Sequence, residues 1–197
     1  MGRARLKRSE VVEKATALFW RHGYRGTSMQ MLTEATGLKP GSLYLAFGSK
    51  EGLFVEVLDA YAEASRARAL ATITSAPTVG EGLCEVLAAI VTASAASDYC
   101  SCLLIKTQLE LGDERGPPFE RARAQLAANE AQYRELLERE GPPDVARRRA
   151  ASFMLHVFGT RVFGYGDHRR DDLWTALEAG LPWLPWGEGT RRSSHSF

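Results

Sequence analysis

Residues 27–50, close to the N-terminus, read TSMQMLTEATGLKPGSLYLAFGSK. This pattern predicts two short helices joined by a tight turn. Thr27 is a suitable N-cap residue, and Gln30 follows at the spacing of a capping box. Gly37 is expected to end the first helix, because a left-handed backbone costs glycine little. Pro40 suits the first position of the second helix, where its missing N–H needs no partner.

The second of these helices has an inward and an outward face. Leu43 and Phe47 are four residues apart, so they lie on one side and are expected to be buried. Ser42, Tyr44 and Leu45 point elsewhere. A two-turn helix is marginal alone. One that turns small, polar and aromatic residues outward beside a glycine turn is typical of the helix that a helix-turn-helix protein lays in the DNA major groove.

A resemblance to the DNA-binding motif of the TetR family of one-component transcriptional regulators covers GTSMQMLTEATGLKPGSLYLAFGSKEGLF. The family's first helix resembles the preceding segment, VVEKATALFWRHGY. The resemblance implies an all-α fold of about nine helices. It also implies an N-terminal three-helix helix-turn-helix domain that binds DNA and a C-terminal helical domain that binds ligand and dimerises. One subgroup of the family, whose sixth helix opens with Gly-Cys-Leu, resembles YCSCLLIKTQLEL here, with Ser101 in place of the glycine.

The charge of the chain is distributed unevenly. The net charge is only +1, yet the first fifty residues hold nine Lys or Arg against three Asp or Glu. The remainder holds sixteen basic and twenty-one acidic residues. A basic N-terminal piece on a mildly acidic body favours a polyanionic partner for that piece, although a solvated charged helix would show the same balance. The basic run over residues 2–8 could reach a minor groove or phosphates, or could be a merely solubilising tail.

Bulk properties exclude other classes. No stretch reaches the roughly 18 apolar residues of a membrane helix, and the basic N-terminus lacks the apolar segment of a signal peptide. Three cysteines are too few for a disulfide framework. We therefore expect a cytoplasmic protein with no membrane partner. We predict three regions: a DNA-binding domain over residues 8–68, a helical effector-binding and dimerisation domain over 69–186, and a disordered tail over 187–197.

The last two helices carry the prediction of a homodimer. Residues 153–163 are apolar on almost every side of a helix, so every side is expected to be buried. One flank would face the protein's own core and the other a second copy. The final helix, over about residues 170–184, adds Leu173, Trp174, Leu177, Leu181 and Trp183. Together the two helices predict a four-helix bundle across a two-fold axis.

Two sets of residues are predicted to contact DNA. Phosphate contacts fall to residues at helix starts and to a hydroxyl, which hold register without reading sequence. These are Thr27, Ser28, Tyr44 and Lys50. Base contacts fall to the start of the recognition helix, at Lys39, Pro40, Gly41, Ser42 and Leu45. Gln30 could read a base or only close the capping box. Tyr44 could instead be a packing residue, and Gly41 could serve only the helix spacing.

The resemblance also implies a small-molecule effector in the C-terminal domain. Candidate pocket residues, which could equally be ordinary core, are Tyr99, Met154, His156, Phe158 and Trp174. The cysteine that matches Cys102 senses oxidants or electrophiles in some members of the resembling subgroup. Cys102 is therefore a candidate sensor, with a buried structural thiol as the alternative. Cys100 could share a metal with it only outside a common helix, and no zinc-type Cys/His spacing occurs elsewhere.

The sequence thus predicts a sequence-specific, DNA-binding transcriptional regulator. We expect a repressor that binds a palindromic operator as a homodimer and is released by a small ligand. A cysteine-based redox or electrophile sensor of the same fold is the alternative. A helical interaction module without DNA binding is the alternative from a different class, and the basic N-terminus argues against it. The sequence lacks a nucleophile paired with a base, paired carboxylates and a phosphate-binding loop. We therefore expect neither an enzyme nor a cofactor.

Overall fold

The structure is a computed structural model that describes residues 7–96, 99–166 and 170–187. Within these ranges the chain forms nine helices and no strand, which confirms the predicted all-α fold. The helices are α1 (Arg8–Gly26), α2 (Met29–Thr36), α3 (Pro40–Phe47), α4 (Lys50–Ser75), α5 (Val79–Ser94), α6 (Leu103–Leu111), α7 (Pro117–Glu138), α8 (Pro143–Phe163) and α9 (Arg170–Gly180). The predicted tail lies outside the described residues except for Gly187.

The described residues divide into two compact units. The first contains residues 7–64 and 102–126, and the second contains the described parts of 65–101 and 127–187. Helices α4 and α7 contribute to both units. The predicted division between residues 68 and 69 is continuous in sequence, whereas the first unit also takes in α6. The extents of the DNA-binding and effector domains therefore stay a prediction.

The first unit is built around an apolar cluster that joins α1 to α4. The Phe19 ring lies 4.5 Å from that of Phe54, and the Tyr24 ring lies 5.0 Å from Phe54. Tyr24 thus packs back onto the unit, as its position after Gly23 predicts. Other buried residues of this unit include aliphatic ones from each of the first four helices: Val11, Val12, Ala15, Leu32, Leu43, Leu53, Val57 and Leu58.

In the second unit, α5 packs against α8 and both touch α9. The backbones of α4 and α5 approach each other closely at Gly82. A Cβ atom built on that glycine would lie 2.5 Å from Ile73 Cα, closer than real Cβ atoms come. Only a residue without a side chain fits at this crossing.

Helix α8 has two different flanks. Phe153, Met154 and Val157 are buried in the second unit, whereas Leu155 and Phe163 are mostly exposed. The apolar character on all sides, noted in the sequence, therefore serves one core and leaves one apolar surface facing outward. Exposed apolar surfaces of this kind are typical of contact sites.

Helix α9 is shorter than predicted. It ends at Gly180 rather than near residue 184, so Leu181 and Trp183 lie beyond it. Pro182 explains the difference, because it lacks an N–H and disfavours helical backbone at the residue before it. Leu181 is nevertheless fully buried, so its predicted role as an apolar packing residue does not depend on the helix.

Candidate nucleic-acid interface

The turn between α2 and α3 has the geometry that its sequence predicts. Gly37 adopts a left-handed backbone (φ 68°) and donates its N–H to the carbonyl of Thr33 at 2.8 Å. Because L residues pay for positive φ and glycine does not, Gly37 ends α2 at low cost. Pro40 occupies the first turn of α3, where its fixed φ favours the helix.

Helix α3 presents an apolar face inward and a mixed face outward. Leu43 is 2% exposed, and Phe47 is buried too. Two positions after Leu43, Leu45 is 89% exposed, and Tyr44 is 48% exposed. The other predicted base-contacting residues, Lys39, Pro40, Gly41 and Ser42, are also exposed. The predicted reading surface is therefore accessible, with a cation, hydroxyls and an apolar side chain on one short helix.

The N-cap of α2 is Ser28, not Thr27. The Ser28 hydroxyl accepts a hydrogen bond from the Met31 N–H at 3.1 Å. Thr27 is fully buried and donates its hydroxyl to the Gly23 carbonyl at 2.7 Å, so its side chain cannot reach a phosphate. The predicted capping box with Gln30 is therefore wrong. Gln30 instead donates its amide to Glu34 on the exposed side of α2, and its base contact stays a prediction.

Lys50 points into the first unit. Its ammonium donates to the carbonyl of Thr27 at 2.7 Å and lies 4.4 Å from the centre of the Tyr24 ring. Burial lowers the pKa of Lys50, and the negative charge of Glu110 opposes that shift. In this geometry Lys50 joins the start of α4 to the α1–α2 corner. Its predicted phosphate contact would have to use the remaining donors of the same ammonium.

The last residue of the basic N-terminal run, Arg8, is also occupied within the protein. Its guanidinium hydrogen-bonds to Glu56 and donates to the carbonyl of Ala46 at 2.7 Å. It also lies 4.3 Å from the centre of the Phe47 ring. Arg8 therefore fastens the end of α3 rather than extending toward DNA. Residues 2–6 of the predicted arm lie outside the described residues.

The structure does not gather the five candidate effector residues around one described cavity. Met154 and Trp174 are buried in the core, while Tyr99 donates its hydroxyl to the carbonyl of Arg161 at 3.2 Å. Phe158 is half-buried. Only His156 lines a described groove. The effector assignment stays a prediction.

That groove lies between α8 and α9 and has a volume of about 270 Å³. Its lining is almost wholly apolar: Leu155, His156, Gly159, Thr160, Phe163, Leu173, Ala176 and Leu177. The two helices meet closely beneath it, because a Cβ on Gly180 would fall on the His156 ring. The groove therefore continues the exposed apolar flank of α8.

The cysteines occupy three environments. Cys84 is buried in α5, and burial raises the pKa of its thiol to about 12. Cys102 is buried at the N-cap of α6, and Cys100 is half-buried before that helix. Cys100 thus lies outside the helix that Cys102 caps. Across the described ranges, no group of three or more His, Cys, Asp or Glu side chains could hold a metal ion.

A set of contacts from α6 to the end of α1 was missed in the sequence. Glu110 accepts hydrogen bonds from the backbone N–H groups of Tyr24 at 2.9 Å and Arg25 at 2.7 Å. Lys106 donates to the carbonyl of Trp20 at 2.5 Å, one turn earlier on α6. The residues are 85 or more positions apart in sequence, so no local pattern indicates the contacts. Two charged residues at positions i and i+4 of α6, Lys106 and Glu110, are the available signal.

A short basic unit in which a glycine turn carries an exposed two-turn helix defines the class of helix-turn-helix DNA-binding regulators. Comparison with known proteins specifies the family. The family model described as "Bacterial regulatory proteins, tetR family" matches residues 11–57. This match covers α2 and α3 and most of α1.

Relatives and solved structures agree with this match. The chain is 33% identical to the HTH-type transcriptional repressor ComR of Escherichia coli over 66% of this chain and 63% of ComR. It is 37% identical to the repressor BdcR of the same organism over 40% of each. The chain thus spans less than two thirds of the length of these curated relatives. Together the matches indicate a TetR family transcriptional regulator.

The fold extends the likeness to nearly the whole chain. A cysteine-substituted variant of the TetR family regulator CifR, in complex with 26-bp double-strand operator DNA, superposes with a TM-score of 0.71 and 29% identity. That match covers 93% of this chain and all of the other. A TetR family regulator of Cytophaga hutchinsonii gives a TM-score of 0.76 at 21% identity over the same shares, which shows a common fold.

In the described part of the chain, no helix has the length and apolar character needed to span a bilayer.

Proposed function

We propose that this protein is a homodimeric transcriptional repressor that binds a palindromic operator and leaves it when a small molecule occupies the C-terminal domain. The proposal includes a cytoplasmic location and no enzymatic activity. The observation that carries it is the outer face of α3, where Leu45 and Tyr44 are exposed while Leu43 and Phe47 hold the helix to its unit. Leu45 contributes nothing to the buried core of the unit, so it is available for contact with bases.

Base reading would begin at the N-terminal end of α3. Lys39 can donate to guanine O6 or N7, and Leu45 can pack against a thymine methyl group. Each good base contact is worth about 1–3 kcal/mol of discrimination. Ser42, Pro40 and Gly41 complete the surface, because small residues let the helix backbone approach the base edges.

Phosphate contacts would hold this helix in register. Ser28 and Tyr44 are exposed at the start of α2 and on α3, so they remain the candidates for this role. Lys50 has donors left for it, and Thr27 would take part through its backbone N–H, because its hydroxyl is buried and bonded to Gly23. In the dimer, two helix-turn-helix motifs related by a two-fold axis would contact half-sites separated by about one turn of the DNA helix or a multiple of it.

The second copy is proposed to cover the outer flank of α8. Leu155 and Phe163 line the α8–α9 groove and are mostly exposed, so their contact with water is unfavourable in a lone chain. If a second copy packs through its own α8 and α9, the exposed apolar residues of both copies are buried together, as a two-fold interface requires. CifR supports the DNA half of the proposal, since that regulator was solved with its operator.

Operator binding is tested with fluorescence anisotropy on DNA upstream of the chain's own gene, across a salt series. Wild type should prefer this DNA to a scrambled duplex of equal length. Lys39→Ala should lose most of that preference. Arg147→Ala, which removes the same charge from an exposed position on α8, should keep it. Equal binding of wild type to both duplexes would refute sequence-specific regulation.

Dimerisation is tested by analytical ultracentrifugation. Phe163→Asp should convert a dimer into single chains, because it buries a charge in the proposed interface. Leu109→Asp replaces another mostly exposed apolar residue, on α6, and should leave the dimer intact. A wild-type chain that sediments as a monomer at micromolar concentration would refute the homodimer.

The alternative of a cysteine-based sensor rests on the position of Cys102 directly before α6, the helix that contacts α1. If an oxidant releases the protein from DNA through this thiol, Cys102→Ser should abolish the effect and Cys84→Ser should not. An unchanged response in Cys102→Ser would refute the sensor role. The interaction-module alternative would be favoured by a stable dimer that binds no duplex at low salt.

A further inference from the structure

The end of α1 contains a break that the sequence places at a glycine. Gly23 has φ 74° and ψ −178°, so the helical hydrogen-bond pattern cannot run through it. The residues after the break start a new short helical segment, and their N–H groups lack carbonyl partners within α1. Tyr24 and Arg25 carry these N–H groups, immediately before the cap of α2.

Glu110 of α6 supplies the missing acceptors. One carboxylate oxygen accepts from Tyr24 N–H at 2.9 Å and the other from Arg25 N–H at 2.7 Å. Hydrogen bonds from backbone N–H groups to a carboxylate are charge-assisted and stronger than neutral ones. The carboxylate sits directly on the glycine: a Cβ at Gly23 would lie 2.7 Å from Glu110 Oε2. The carboxylate therefore occupies the space that a side chain at Gly23 would take.

Neighbouring contacts make this a joint between several elements. On α6, Lys106 binds the carbonyl of Trp20 one turn before Glu110. On the other side of the corner, the Thr27 carbonyl accepts from Lys50 at the start of α4. The corner between α1 and α2 is thus held by α6 and by α4. Because Ser28 caps α2 directly after it, the corner fixes where α2 starts.

We infer that Glu110 is a positioning residue for operator binding: through its carboxylate, α6 holds the α1–α2 corner and thereby the helix-turn-helix in the arrangement that reads DNA. Glu110 does not touch DNA in this role. Losing the carboxylate frees two N–H groups and lets the corner move, so fewer molecules hold α3 correctly. This inference rests on the proposed function, because operator binding is its main readout.

Charge repulsion and positioning predict opposite changes in DNA affinity when Glu110 is replaced. A carboxylate on a DNA-binding unit repels phosphates, so its removal alone should tighten binding. Positioning predicts the opposite for Glu110. Glu114 lies four residues after Glu110, in the turn that follows α6, and pairs with Arg25 at 2.7 Å, but both side chains are more than half exposed. Such surface pairs contribute little, which makes Glu114→Gln a control with the same charge change close to Glu110.

The experiment compares wild type, Glu110→Gln, Glu110→Ala and Glu114→Gln by anisotropy on the upstream DNA at fixed salt. We expect about tenfold weaker binding for both Glu110 variants, within the roughly 5–150-fold range of couplings between sites. Binding by Glu114→Gln should be unchanged or tighter. Amide hydrogen exchange at Tyr24 and Arg25 should speed up only in the Glu110 variants. A glutamine side chain keeps the size of the residue, so the effect does not depend on a cavity.

Three results would overturn the inference. The first is a Glu110→Gln variant that binds as tightly as wild type with unchanged exchange at Tyr24 and Arg25. The second is an equal loss in Glu114→Gln, which would assign the effect to the Arg25 ion pair. The third is a wild-type chain without operator preference, which refutes the proposed function as well; the first two refute this inference alone.

Discussion

Leu43 and Leu45 lie two positions apart on α3, yet their exposed fractions are 2% and 89%. Replacing either by alanine removes the same atoms and barely changes helix propensity. The two substitutions therefore compare a buried position with an exposed one in the same helix. We expect Leu43→Ala to destabilise the first unit and Leu45→Ala to spare its stability.

The magnitudes follow from burial. A fully buried leucine replaced by alanine costs about 2–5 kcal/mol, because transfer energy is lost and a cavity remains. An exposed leucine loses almost no buried area, so Leu45→Ala should stay within about 0.5 kcal/mol of wild type. If Leu45 contacts a thymine methyl, operator affinity should fall about tenfold, which corresponds to about 1.4 kcal/mol.

Urea unfolding followed by circular dichroism measures the stability of both variants, and anisotropy measures their operator affinity. Operator binding by Leu43→Ala is measured without urea, and only if circular dichroism shows the helix content of wild type. Equal destabilisation by the two substitutions would refute the assignment of faces on α3. Wild-type operator affinity in Leu45→Ala would remove that side chain from the reading surface.

Three further predictions concern other parts of the chain. Ser28→Ala should destabilise the first unit by about 1 kcal/mol in urea unfolding, because the α2 cap is lost; wild-type stability would contradict the observed cap. Arg8→Ala should weaken operator binding without changing its salt slope, since this guanidinium is held within the protein; a slope smaller by about 0.9 would instead reveal a phosphate contact. Because burial raises the pKa of Cys84 to about 12 from 9.0, the thiol should resist iodoacetamide at pH 8 in mass spectrometry. For the same reason stability should fall between pH 9 and 12, by at most about 1.4 kcal/mol per pH unit, as only the unfolded thiol ionises. Rapid alkylation of native Cys84 would contradict its burial.

The sequence predicted the helix-turn-helix because its determinants are local. Gly37 carries its own backbone preference, and the spacing of Leu43 and Phe47 sets the inner face of α3. The apolar surfaces of α8 are likewise visible as residue types at helical spacing. Periodicity could not show which flank of α8 is buried and which is exposed, because both flanks are apolar. Only the packing of the second unit distinguishes them.

The details that the sequence did not reveal depend on contacts between residues far apart in the chain. Thr27 and Ser28 are both good cap residues, and the choice between them depends on how far α1 continues past Gly23. That continuation depends on Glu110, more than eighty positions away. Lys50 was predicted at a phosphate because it opens a helix, and that contact stays a prediction; its contacts with the Thr27 carbonyl and the Tyr24 ring could not be read from the sequence.

The close crossing at Gly82 has a consequence for genetics. Suppose that colonies are screened for alleles that no longer silence a reporter gene. Replacements of Gly82 should be recovered beside those of α3, because any side chain there must force Ile73 away. Immunoblotting would separate the two groups: the Gly82 alleles should lower the amount of protein in the cell, while alleles of Lys39 should leave it unchanged.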